Sequence, residues 1–173
     1  VLEVLSVVGW FVHPGLTIGG IALLGIGAAF GITYVSTGIE NRMALKSALT
    51  MVAIAVVLYY PLQVFFKHFA SLWILLGLGL ITVLLGVPVG RSFAKIDRGP
   101  VIRTASITGF VLGLLIVLDR LMREWANYMN EDAINFRPVP TIGEINTQLT
   151  PTNFWMGFLD TCMHLILPTI ALT

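Results

Sequence analysis

Few side chains in this 173-residue chain have the chemistry to act on a substrate. Glu3, His13, Asp119 and His164 are the candidates, because ionisable groups are few among so many apolar residues. His13 precedes Pro14 with no second His or carboxylate at ligand spacing, which argues against a metal centre. Asp119 with Arg123, and Arg120 with Glu124, stand four residues apart, the spacing at which a helix brings opposite charges together. A structural role at the outer end of a helix is the simpler reading of these pairs. The chain holds no HExxH, GxSxG, P-loop or Rossmann pattern, and the single Cys162 excludes an internal disulfide or a multi-cysteine metal site. The expectation is a protein that is not an enzyme and carries no cofactor.

The elements around these residues are set by the medium. Hydrophobic residues make up 57% of the chain and charged ones 11%, against about 25% charged in soluble domains, and the mean hydropathy is +0.91. The net charge of +1 gives no reason to expect a nucleic-acid partner. Crossing a hydrocarbon core takes about 20 apolar residues. Leu16 to Ser36, Ser47 to Phe66, Ser71 to Gly90 and Thr104 to Met122 each supply them. Val1 to Val12 and Leu165 to Thr173 are too short to cross alone and read as truncated helices. The predicted fold is all-α: a polytopic transmembrane helix bundle with four full spans plus truncated helices at both ends, forming one segment of a larger multi-pass protein of the cell membrane. The N-terminus has no basic region or cleavage motif of a signal peptide.

Charge placement orients the spans. Arg91, Lys95, Arg98 and Arg103 crowd one short link with a single acid, Asp97, which places that link in the cytoplasm. Alternation puts Thr37 to Lys46 on the same side and the turn at Lys67 and His68 outside, where Tyr59, Tyr60, Phe65, Phe66 and Trp73 suit headgroup depth. Within the spans Gly recurs at spacing four: Gly15 with Gly19, Gly27 with Gly31, Gly86 with Gly90, Gly109 with Gly113. Such pairs predict close backbone contact between helices. Pro61 and Pro88 are expected near span ends, where a missing N–H costs least.

From Glu124 to Asp160 the chain turns polar, with Pro138, Pro140 and Pro151, and reads as an extracytoplasmic loop. Asn153 is placed to cap a short helix whose Phe154, Trp155 and Phe158 form an aromatic side suited to the membrane surface.

The run FWMGFLDTCMHLILPTIALT, Phe154 to Thr173, resembles a segment of peptide-type ABC importer permeases in which an FW pair leads into a helix opening H-L-I-L-P. His164, Leu165, Ile166, Leu167 and Pro168 carry the match. A weaker likeness lies in ITVLLGVPVG, Ile81 to Gly90, followed by its basic loop. The resemblance implies a permease subunit of an ATP-driven importer for peptides or similar small solutes, nickel among them. It implies as partners membrane lipid, a second permease subunit, cytoplasmic ATPase subunits and an extracytoplasmic substrate-binding protein, the last meeting the Glu124 to Asp160 loop. The chain departs from that pattern where only Lys67 to Ala70 separates the second and third spans, and where Ser106 to Phe110 reads SITGF. The spans at Leu16 to Ser36 and Ser47 to Phe66 have no counterpart in it. Two other classes stay open: a membrane scaffold without transport, and an intramembrane enzyme using His164 or Asp119.

Overall fold

The computed structural model describes residues 14–38, 40–94, 98–130, 134 and 153–172. Glu3, His13, Lys95 and Asp97, together with most of the polar loop, lie outside them. Five helices follow in chain order: α1 Ile18–Thr37, α2 Arg42–His68, α3 Leu72–Phe93, α4 Arg98–Met129 and α5 Phe154–Leu172. There is no strand among the described residues, and α1 to α4 are each long and apolar enough to cross a membrane. The fold is thus an all-α polytopic transmembrane bundle.

Helix starts follow from local capping. Thr17, Asn41 and Ser71 each turn a side-chain oxygen onto the backbone N–H three residues on, at Gly20, Ala44 and Ile74. These caps satisfy donors that have no partner inside the first turn. Gly38 ends α1 with φ +78, a backbone region that side chains with a Cβ rarely enter. Helix α2 begins at Arg42, a turn before the apolar run, and α4 continues to Met129, well past Met122. At about 1.5 Å per residue the 32 residues of α4 extend roughly 48 Å. Pro61 and Pro88 are inside α2 and α3, toward their C-terminal ends. Membrane helices tolerate such a gap in the backbone ladder where neighbouring helices and hydroxyl side chains supply other partners.

Contacts divide the chain into two units, residues 16–118 and a second made of 1–15 and 119–173. In the first, backbone proximity replaces hydrophobic drive, since lipid tails are as apolar as leucine. A methyl on Gly86 would strike the Ser106 backbone nitrogen and Cα, and one on Gly90 would lie 2.5 Å from Ile102 Cα. One on Gly109 would lie 2.7 Å from the Thr82 carbonyl oxygen. Two of the glycine pairs therefore make the α3–α4 contact. Gly27 and Gly31 face open space, and Gly15 and Gly19 have only ordinary neighbours. On α1 the residue that is closely approached is Gly25, where an added methyl would meet Leu112 at 2.8 Å and Val52 at 3.2 Å.

Polar groups in this unit are satisfied at short range. Thr33, Ser47, Thr104 and Thr108 donate to carbonyls one turn back, at Ala29 (2.6 Å), Ala44 (2.7 Å), Pro100 (2.9 Å) and Thr104 (2.8 Å). Each hydroxyl thereby becomes a small, self-satisfied side chain that can be buried. Three bonds cross between segments: Ser106 to the Val83 carbonyl at 2.9 Å, Tyr59 to that of Leu16 at 3.2 Å, and the Gln63 amide to that of Ile116 at 3.2 Å. A shallow open groove between α2, α3 and α4 is lined by apolar side chains such as Met51, Leu58, Leu85 and Leu112.

The outer surfaces of α1 and α3 are apolar. Leu23, Val35, Trp73, Leu76, Leu80 and Leu84 are exposed, and only 6% of the most apolar window of α3 is buried. In lipid such faces need no further cover. If backbone contact holds the α3–α4 pair, Gly86→Ala will destabilise the protein by about 3 kcal/mol, the upper range of overpacking. Gly27→Ala will be neutral or stabilising by up to about 1 kcal/mol through helix propensity. Thermal unfolding of the two variants in the same detergent separates them, and equal shifts would refute this packing.

Candidate functional site

The residues able to do chemistry gather in the unit formed by 1–15 and 119–173, on the last three turns of α4 and on α5. Heptad-like spacing on α4 sets one side: Asp119, Arg120, Arg123, Glu124, Asn127 and Tyr128 recur at three and four residues, so they share neighbouring faces. On α5, Trp155, Met156, Leu159, Asp160 and His164 form the buried stripe at the same period. Asn153 starts the helix by accepting from the Met156 N–H at 2.9 Å.

One knot is centred on Glu124, which is buried. Arg120 pairs with it from the preceding turn. Asn127 donates to its other oxygen at 2.8 Å, and Asn153 reaches the same oxygen at 3.5 Å. Beside it Arg123 Nε donates to Asp119 Oδ2 at 2.9 Å; the aspartate is fully buried and the arginine side chain 44% exposed. Both i, i+4 pairs expected from the sequence therefore form, and Asp119 is buried within the protein.

The second knot joins Tyr128, Asp160 and His164, which are all buried. Tyr128 donates its hydroxyl to Asp160 Oδ1 at 3.2 Å. His164 Nδ1 is 2.8 Å from the Asp160 carbonyl oxygen and 3.4 Å from Asp160 Oδ1. A carbonyl oxygen can only accept, so Nδ1 carries a proton and the ring is held in one orientation. Around the knot Tyr128, Leu159 and Ile134 form a small core, with Leu121, Trp125 and Met163 packed on it. The ring of Trp125 lies 6.0 Å from that of Tyr128.

Chemically, this arrangement can hold a buried charge and fix two helices. It resembles half of a hydrolytic relay, a carboxylate orienting an imidazole, but no Ser, Cys or Thr hydroxyl or thiol is shown within bonding distance of His164 among the described residues. Nucleophilic catalysis needs that third member. Nor do the described residues contain a group of three or more His, Cys, Asp or Glu able to hold a metal ion.

Of the motif residues, His164 enters this knot and Leu165 faces outward, 57% exposed. Ile166, Leu167 and Pro168 continue the helical backbone of α5, and their side chains lie outside the described residues. The FW pair and the H-L-I-L-P run belong to one continuous helix rather than to a short surface helix followed by another. Trp155 is among the largest fully buried side chains, so it does not serve a membrane-surface face, while Phe158 does remain 38% exposed. Asp160 was legible as the i−4 partner of His164, though attention to His164 alone passes over it. Tyr128 was not legible, because only the fold brings a residue 32 positions away to that carboxylate.

Comparison with known proteins found no matching family, no similar curated protein and no similar solved structure. The class defined by the fold is therefore that of a multi-span helical membrane protein with a buried polar knot.

The knot makes a specific energetic prediction. Asp160 holds both Tyr128 and His164, and leaving a buried polar group without its partner costs about 1–3 kcal/mol. Asp160→Leu should therefore lower the unfolding temperature more than Tyr128→Phe, which removes one of those contacts. Equal shifts for the two variants would show that Asp160 does not join them.

Proposed function

We propose that the chain is part of a permease subunit of an ATP-driven importer in the cell membrane, lining a path for peptides or similar small solutes. The observation that carries this reading is the placement of the FWMGFLDTCMHLILP stretch. This stretch resembles the permease segment, and it lies on α5 with Trp155, Asp160 and His164 buried on one face. A motif packed as a structural joint suits a protein whose work is movement between helices. It suits an enzyme less, since no nucleophile accompanies His164 among the described residues.

Other features support the same reading. Four membrane-length helices provide a polytopic body. The basic end, with Arg91, Arg98 and Arg103, belongs on the cytoplasmic side by the charge rule, which directs α5 inward from an extracytoplasmic loop. Alternating access would then be rigid-body motion of packed helices, driven by hydrolysis on separate ATPase subunits. The permease supplies the path, a second permease subunit completes it, and an extracytoplasmic binding protein delivers the solute.

The test is to purify the full parent protein from its native membrane in mild detergent and reconstitute it with whatever subunits accompany it. ATP hydrolysis by that assembly, with ATP-dependent uptake of a radiolabelled tripeptide or of ⁶³Ni²⁺, is the expected result. Absence of both, with the complex otherwise intact, would reassign the chain to a scaffold. His164→Ala should lower uptake no more than about fivefold and in proportion to lost assembly. A loss of all turnover with assembly unchanged would instead place His164 in a reaction.

A further inference from the structure

One end of the 16–118 unit gathers three helix termini. Ala44 near the start of α2, Ala94 just after α3 and Val101 near the start of α4 are buried against one another, with Phe93 at their edge. Around this hub stand Arg42, Lys46, Arg91, Arg98 and Arg103, all exposed. Among the described residues none of the five forms an ion pair. The one acid described at this end is Glu40.

Helix polarity sharpens the imbalance. Both α2 and α4 turn their N-terminal ends toward the hub, and neither carries an acid in its first turn; each opens on an arginine. The positive end of a helix favours nearby anions and disfavours cations, by about 0.3–1 kcal/mol per group. Arg91, in the last turn of α3, is the cation at a favourable helix end. Each of these two helices opens on an arginine, and the five exposed cations stand with one described acid, Glu40, at this end. Four of the five cations are arginines, whose planar fork matches phosphate oxygens. The surface next to them is built for lipid, with Met43 exposed at 48% beside Arg42 and the apolar face of α3 leading to Arg91.

We infer that this basic collar binds the phosphate headgroups of anionic phospholipids. The inference does not depend on the permease reading, since any multi-pass protein with this end would bind the same lipid.

Native mass spectrometry of the full protein, released from vesicles of phosphatidylcholine and phosphatidylglycerol at 3:1, tests it. Retained lipid should be enriched in phosphatidylglycerol. Each cation near an anionic surface is worth about a fivefold preference, so Arg42→Gln with Lys46→Gln should cut the enrichment at least tenfold. Arg98→Gln with Arg103→Gln should do the same. Lys67→Gln with His68→Gln, at the far end of α2, should leave it unchanged. Wild-type protein provides a readout that needs no variant: raising salt from about 0.05 to 0.5 M should erode the preference by screening. Equal retention of the two lipids, or enrichment that survives both collar variants, would overturn the inference. So would a result in which the collar variants shed an acidic protein subunit while wild-type protein shows no lipid preference, since the collar would then be a protein-docking surface.

Discussion

Everything in the 16–118 unit depends on how near the α3 and α4 backbones come at Gly86 and Gly90. Hydrocarbon gives apolar side chains no reason to leave lipid for one another, so helices associate only where packing is closer than lipid can provide. At Gly86 the space for a Cβ is already taken by the backbone of Ser106. The same proximity lets the Ser106 hydroxyl reach the Val83 carbonyl. A bulkier residue at Gly86 would remove both the dispersion contact and the hydrogen bond. It follows that α3, nearly unburied along its apolar window, is held by a narrow line of small residues rather than by a broad core.

Satisfaction of polar groups follows two regimes. Between residues 16 and 118, Ser106 reaches across to α3, while Ser and Thr hydroxyls such as those of Thr33, Ser47 and Thr108 fold back onto carbonyls of their own helix, so these are satisfied without a partner element. Such bonds do not specify which helix lies beside which. In the unit of 1–15 and 119–173, side chains satisfy one another: Glu124 serves Arg120, Asn127 and Asn153, and Asp160 serves Tyr128 and His164. Those bonds link α4 to α5 and its cap, and therefore do specify a pairing. Carboxylates at this depth are expensive unless paired, and every buried carboxylate described here has a partner.

The legibility of the sequence tracks the range of the interaction concerned. Span number, capping of α5 by Asn153 and the i, i+4 ion pairs on α4 rest on residues within one turn or one apolar run, and all could be read. Glycine pairs were half legible. Their spacing is set by helix geometry, but whether a pair meets a neighbour or lipid depends on rotation about the helix axis, which separates Gly86 and Gly90 from Gly27 and Gly31. The polar character of Glu124 concealed that α4 continues to Met129, because a charge that ends an apolar run also starts a buried knot when a partner is near. Likewise the aromatic pair at Phe154 and Trp155 looked amphipathic, and only the packing of α5 distinguishes buried Trp155 from half-exposed Phe158.

The two polar assemblies also differ in what they demand of the surroundings. In the knots of α4 and α5, polar groups are satisfied internally: Arg120 pairs with Glu124, Arg123 with Asp119, and Asp160 accepts from Tyr128. Such a unit has little electrostatic need for an external partner, and its helices can be held by their own bonds. At the Ala44, Ala94 and Val101 hub the opposite holds, since five exposed cations stand with one described acid, Glu40. A membrane protein whose charge is balanced at one site and unbalanced at another is sensitive to its lipid mainly at the second. Changes in the anionic lipid content of the bilayer should therefore act on the ends of α2, α3 and α4. The joint between α4 and α5 should be nearly indifferent to them.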